Sequence, residues 1–385
     1  MATIPSIAMI PSGVKASKLY SVLPTDGAGD FTTTRASVAT RVNENGLIEE
    51  VASNVPRLDY SDGTCPSLLL EPTATNLITY SEDFSNVSWT KAGNTVVTLN
   101  NAISPDGTLN ASTVTGLDGT GGNDLGFIKS GSTANNTYTY SVYLKGSGTL
   151  RIQLSNGVDQ AFENNLTLTS NWKRHYLTST FGATATSNLY GNLDDLSATA
   201  TTFEIWGAQL EENSYATSYI KNAGTALGVT RVADTASGSG SSTVINSTEG
   251  VLYAEISALA NDGIEKVFSL NSGSFSNRVQ IGYTAISNQI NAFVQSNGVY
   301  SLNVTEILSD TTQINKIAVR YSLNNFSLWV NGVEVGTSLS GNTPIGLNNL
   351  DFSISNAVPF YGKTKSVQVY TTALSDAELT SLTTI

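Results

Sequence analysis

The chain is 385 residues long, enough for two or three domains. Only 13% of residues are charged and the formal net charge is −12, which argues against nucleic acid and against anionic membrane surfaces, since both need clustered Lys and Arg. The single cysteine, Cys65, excludes an intrachain disulfide, and its expected place is that of a small buried hydrophobe. No run approaches the roughly 20 apolar residues of a membrane span, so no membrane insertion is expected. The opening MATIPSIAMIPSGVKASKLY has neither the basic start nor the sustained apolar run of a signal peptide. Ser, Thr, Asn and Gly fill the place of charge, which suits many short strands joined by polar turns, an all-β class.

Residues 1–75 read as an extended arm. Pro5, Pro11, Pro24, Pro56, Pro66 and Pro72 lie there, six of the chain's nine prolines, and proline disfavours central strands. One hairpin is legible, Ser37–Val42 and Leu47–Val51 around Asn43-Glu-Asn-Gly46. The run Cys65-Pro-Ser-Leu-Leu-Leu70 needs cover, so the arm is expected to pack on a neighbouring domain or subunit. Residues 76–232 read as a β-sandwich of jelly-roll type, with strands at 95–99, 137–144, 150–154, 173–181 and 202–210. TYTYSVYLKG and TLRIQLSNG alternate cleanly within it. Residues 233–249, beginning ADTASGSGSSTV, read as a Ser/Gly linker.

Residues 250–385 read as a second antiparallel sandwich, with strands at 251–257, 265–270, 278–283, 289–295, 350–355 and 364–371. Its clearest stretch is KIAVRYSLNNFSLWVNGVEVG at 316–336. Ile317, Val319 and Tyr321 alternate with other residues, as do Phe326, Leu328 and Val330. Asn331-Gly332 then marks a two-residue hairpin. The register sets Val330 opposite Val333, Leu328 opposite Val335, Val319 opposite Leu328 and Tyr321 opposite Phe326, all on one face. Trp329 and Glu334 pair on the other face, beside Ala318 and Arg320. Ser375 and Glu378 form a capping box for a short helix over 374–382.

Two resemblances add to this. FSLWVNGVEVG at 326–336 and VQVYTTALSDAELTSL at 367–382 resemble concanavalin A-like or laminin-G-like lectin sandwiches, and residues 76–222 resemble carbohydrate-binding-module jelly rolls. WGAQLEENSYATSYI at 206–220, VTRVADTAS at 229–237, TRVNENGLIEEVASNVPRLDY at 40–60 and LLLEPTATNLITYSEDFSNVSWTK at 68–91 are similar to segments of bacteriophage head-fibre, spike and tail proteins, although Lys221 stands where proline is usual. This likeness implies a homotrimeric virion component, made in the host bacterial cytoplasm. Its N-terminal arm would attach to a capsid or tail protein, and its lectin-like domains would meet host-surface glycans.

Catalytic chemistry is thin. Glu204 and Glu211 are an odd number of residues apart, so a regular strand would set them on opposite faces. Adjacent Asp194 and Asp195 diverge and read as loop charges. His175 is the sole histidine, with no nucleophile elbow to accompany it, and reads as structural. One His and one Cys exclude a zinc site of those ligands. The loops Asp118–Asp124 and Asn261-Asp262 offer oxygens for calcium but read as glycine-rich turns, so no metal and no cofactor are expected. Sugar binding needs aromatic faces with amide or carboxylate partners. The candidates are Trp329 with Arg320 and Glu334, which serve only if that face is open, and Trp172 and Tyr190 in the first sandwich. Two rival readings stand beside the virion protein: a glycan-active enzyme or accessory module of a bacterial saccharide-degrading system, and a purely architectural decoration protein.

Overall fold

The computed structural model describes residues 3–117, 124–132, 134–196, 201–354 and 357–385. These are built almost wholly of antiparallel strands, with one helix among them, Asp376–Thr383. The chain forms two compact units. One comprises Met1–Val38, Val51–Pro72 and Ala233–Ile385; the other comprises Ala39–Glu50 and Thr73–Val232.

In the first unit the 316–336 stretch forms three strands, Asn315–Ser322, Asn325–Val330 and Val333–Ser338. Tyr321 faces Phe326 and Val319 faces Leu328, as the alternation requires. Val330 faces Val333 and Trp329 faces Glu334, but a bulge then sets Leu328 opposite Gly336 instead of Val335. Val333 is exposed, whereas Val335 is half-buried and still packs against the core, so the predicted oily face continues past the turn only in part. This meander joins Glu249–Ala258 and Gly362–Tyr370 in an eight-stranded sheet. A five-stranded sheet of Val299–Ile307, Gln289–Ser296, Arg278–Tyr283, Lys266–Asn271 and Asn349–Asp351 faces it. Leu252, Val319, Leu328 and Val369 from one sheet pack with Phe268, Leu270, Ile281 and Val294 from the other. This is the sandwich expected for this half of the chain.

The N-terminal stretch packs on a neighbouring sheet, as its apolar runs require, but as strands of that sheet and not as an extended arm. Ile7–Met9 pairs with Gly362–Tyr370, and Arg57–Asp59 and Ser67–Leu70 extend the same sheet. Ile7, Met9, Phe31, Leu68 and Leu70 lie in the first unit's core. The prolines punctuate short strands that find partners far along the chain, which a local reading does not reveal. The 233–249 stretch is likewise no linker. Thr235–Ser237 pairs with Phe31–Thr34, and Ile245 is buried. Beside it lies a buried ionic cluster. Arg35 and Arg57 both donate to Asp234, and Arg57 also meets Glu71. Arg35, Arg57 and Glu71 near the start of the chain are thereby tied to the distant Asp234 stretch. Cys65, expected to be buried, is exposed.

In the second unit two five-stranded sheets enclose a core. One contains Trp89–Lys91, Leu125–Ser130, Asn188–Asp194, Thr149–Ser155 and Gln160–Thr167. The other contains Val96–Ala102, Ala111–Leu117, Thr201–Glu211, Thr137–Gly146 and Lys173–Thr180. Phe127, Tyr140, Ile152, Leu193, Phe203 and Leu210 fill the space between. The hairpin read at 37–51 is present as Ala39–Val42 and Ile48–Val51, and its Ile48 packs with Trp206 and Tyr219.

Candidate functional site

Strand alternation in the first of these sheets turns Leu125, Phe127, Leu189, Leu193, Ile152 and Leu154 inward. The residues between them therefore face outward. The register aligns them in rows: Thr90, Gly126, Asn192, Gln153 and Phe162 in one, and Ile128, Tyr190, Ser155 and Gln160 in the next. A hollow of about 430 Å³ opens over these rows, lined by Thr90, Lys91, Ile128, Gln153, Ser155, Tyr190 and Asn192. Gly126 makes room for the Asn192 amide. A Cβ there would lie 1.9 Å from Asn192 Oδ1, so only glycine lets that amide lie across the neighbouring strand.

The hollow's chemistry is amide and aromatic. Asn192 Nδ2 donates to Gln153 Oε1 at 3.3 Å, and Gln153 Nε2 donates to Gln160 Oε1 at 3.4 Å. Bonds this long are weak and exchange at little cost for a ligand's hydroxyls. Tyr190 is half-buried and Ile128 exposed, which supplies an apolar wall. Lys91 Nζ at the rim lies within hydrogen-bond distance of the carbonyls of Phe84, Ser85, Asn86 and Trp89, which share its three N–H donors, and burial lowers its pKa from the usual value. Arg151 pairs with Asp194 at 2.8 Å on the same face and lies over the ring of Phe162.

The other predicted site residues are dispersed. Trp329 does not offer an open platform. The terminal helix lies over it, and Trp329 packs with Val251, Tyr253, Tyr370, Leu374 and Leu379 at 6% exposure. Arg320 is buried beside it and donates to Asp376 of the helix at 2.6 Å, while Glu334 is exposed. The capping box that starts this helix is present, Ser375 with Glu378. Trp172 is half-buried; its Nε1 donates to the carbonyl of Ile103, and Lys145 lies over its ring. Of the five candidates, only Tyr190 stands at the hollow. Gln153 and Asn192 were missed. The signal for Gln153 was the polar half of the alternation in TLRIQLSNG, where Arg151, Gln153 and Ser155 share a face.

Glu204 and Glu211 do not lie on opposite faces of the sheet. A bulge in Thr201–Glu211 advances the register by one residue, with Gly207 at φ +62°. Glu204 and Glu211 therefore share the outward face despite their odd spacing. Seven residues of strand still separate them by about 20 Å at ~3.3 Å each, against roughly 5–9.5 Å in a glycosidase pair. Glu204 meets Lys145, and buried Glu211 accepts from Thr217. His175 is buried with Nε2 unpartnered, and burial holds its pKa down at about 4, with Lys173 contributing. Residues 118–123 of the first calcium candidate lie outside the described residues. In the second, Asp262 is buried in an ion pair with Lys266. No group of three or more His, Cys, Asp or Glu able to hold a metal occurs among the described residues.

Residues 254–380 match the family described as "Concanavalin A-like lectin/glucanases superfamily". This third of the chain is a concanavalin A-like, lectin-like domain. No curated protein matches the chain. Among solved structures, the chain is similar to a Ruminococcus gnavus IT-sialidase CBM40 bound to α2,3 sialyllactose, at 19% identity and TM-score 0.33, covering 37% of this chain and 86% of that one. It is also similar to domain 4 of a GH43 extracellular arabinanase from Geobacillus stearothermophilus in complex with arabinotriose, at 12% identity and TM-score 0.32, covering 39% and 73%. A third is a native heptameric SAP-like pentraxin from Limulus polyphemus, at 14% identity and TM-score 0.29, covering 34% and 68%.

Proposed function

We propose that this chain is a non-catalytic glycan-binding protein. The observation that carries the reading is the outward face of the second unit, where Tyr190 and Ile128 stand beside the paired amides of Asn192 and Gln153. A pyranose presents an apolar CH face to an aromatic ring and hydroxyls to amides, and this hollow offers both. The lectin-like domain at 254–380 supports the same reading.

The setting we propose is a bacteriophage particle, with the chain as a head fibre or tail spike. Support comes from the likeness of residues 40–60, 68–91, 206–220 and 229–237 to such proteins. Attachment to the capsid or tail is assigned to the surface formed by residues 1–38 and 51–72, now as part of a folded unit. A homotrimer repeated over a particle would multiply weak single-site affinities through effective concentration. A glycan array probed with the full chain tests binding. Loss of its signals in Tyr190→Ala supports the hollow as the site; a blank array leaves the architectural reading. Turnover of host polysaccharide would favour the enzyme. Recovery of the chain with intact particles supports the virion setting, and its absence from them favours the free bacterial module.

A further inference from the structure

The five-stranded sheet of the first unit also has an outward face. Val279, Ile281, Ala292 and Val294 point into the core, so Arg278, Gln280 and Gln295 point the other way. Gln295 lies directly opposite Arg278. All three are nine-tenths buried, with exposures of 8%, 6% and 8%. Each holds a buried polar atom that no hydrogen bond meets: Nε of Arg278, and Oε1 of Gln280 and of Gln295. Buried polar groups are nearly always satisfied, so three unmet atoms on one face call for a missing partner.

Arg278 is the centre of this cluster. Its Nη1 donates to the carbonyl of Phe275 at 2.6 Å. Arg35, Arg57, Arg151 and Arg320 each meet a carboxylate. Among the described residues no carboxylate comes within ion-pair distance of Arg278. The rings of Phe275 and Phe293 flank its guanidinium, with centroids 5.3 and 4.7 Å away. Cation–π contacts offset part of the lost hydration but supply no hydrogen-bond acceptor. Burial pulls the pKa of Arg278 below arginine's usual value, against an opposing pull from Tyr300. A buried charge of this kind is costly until an opposite charge completes it. With Nη1 engaged, the donors left to pair are Nε, buried and unmet, and Nη2, two parallel donors that match two oxygens of one anionic group. Beside it stand Phe275 and Tyr300, 50% and 51% exposed, with faces fit for a sugar ring.

We propose that this face is a second saccharide site, specific for an acidic sugar. The anionic group is held by Arg278, the hydroxyls by Gln280 and Gln295, and the ring by Phe275 or Tyr300. The proposal rests on the glycan-binding reading but concerns a separate site, in the first unit. A hexuronate carboxylate and a sugar sulfate ester share the required chemistry.

The test is calorimetric titration of the full chain with an oligogalacturonate, its neutral methyl ester and a sulfated galactan oligosaccharide. At least one acidic oligosaccharide should bind, more weakly as salt rises, and the neutral ester at least tenfold more weakly. Binding of the oligogalacturonate alone assigns a carboxylate, and of the sulfated oligosaccharide alone a sulfate; either supports the site. Arg278→Met should lose at least tenfold in affinity with no fall in melting temperature, because it removes an uncompensated charge. Arg278→Lys keeps the charge but loses the two-donor edge, and should also bind several-fold more weakly should the methionine variant fail to fold. The proposal is overturned if no acidic oligosaccharide binds, or if a folded Arg278 variant keeps full affinity, as a purely stacking arginine would. Neutral glycans lost on Tyr190→Ala, with no acidic binding, would sink this site and leave the proposed function standing; loss of all glycan binding would count against both.

Discussion

Replacing Trp329 with alanine separates a buried anchor from a surface platform. The side chain is 6% exposed and touches the terminal helix through Leu374 and Leu379 and the sheet through Val251, Tyr253 and Tyr370. A buried tryptophan withdraws about 200 Å² from water, worth ~5 kcal/mol at ~25 cal/mol per Å² as an upper figure. Large-to-small substitutions of this kind cost about 3–5 kcal/mol in practice. The Trp329 Nε1 bond to Ser327 Oγ at 3.0 Å is lost as well. We therefore expect Trp329→Ala to destabilise the first unit by about 4 kcal/mol. Urea unfolding followed by far-ultraviolet circular dichroism reads this directly. Leu379→Ala, from the helix side of the same contact, should cost about 2–5 kcal/mol, and the double mutant less than the sum. A loss below about 1 kcal/mol for Trp329→Ala would mean the helix does not cover this face, and the platform reading would return.

Two further outcomes follow from buried polar groups. Asp234→Ala leaves Arg35 and Arg57 without the carboxylate they share and should cost about 3–5 kcal/mol in the same urea experiment; a near-neutral result would show that the cluster is not closed off from water. His175 is neutral in the fold, its pKa held down at about 4, while the unfolded chain takes up its proton near 6.5. The unfolded state thus binds more protons between these values, so stability should fall as pH drops from 6.5 toward 4. As His175 is the only histidine, His175→Leu should flatten that part of a melting-temperature profile; an unchanged slope would assign it to carboxylates.

Sequence periodicity carried much of the fold because alternation is local. The strand Arg278–Tyr283 matches its expected bounds, and the pairing of Trp329 with Glu334 follows from the turn at Asn331-Gly332. Polar edge strands were missed. In Gln160–Thr167, Glu163, Asn164 and Asn165 are all exposed, so no apolar rhythm marks it. Asn188–Asp194 was hidden by Gly191, which is required because a Cβ there would lie 2.3 Å from the Phe127 ring. Bulges were also invisible, and the one at Gly207 reversed the argument about Glu204 and Glu211. The arm and the linker failed for a different reason: their partners, such as Val369 for Ile7 and Thr33 for Ala236, lie hundreds of residues away. At the candidate site Tyr190 was legible as an aromatic in a polar context. Asn192 became legible as the partner of Gln153 only once the strand register set their amides side by side.

The most direct test of glycan recognition is calorimetric titration of the strongest array ligand into the wild-type chain, Tyr190→Ala and Asn192→Ala. We predict that each variant keeps the wild-type melting temperature and binds about tenfold more weakly, the ~1.4 kcal/mol expected for one lost ring contact or hydrogen bond. Unchanged affinity in both variants, with the ligand bound, would place recognition elsewhere on the chain and contradict the account.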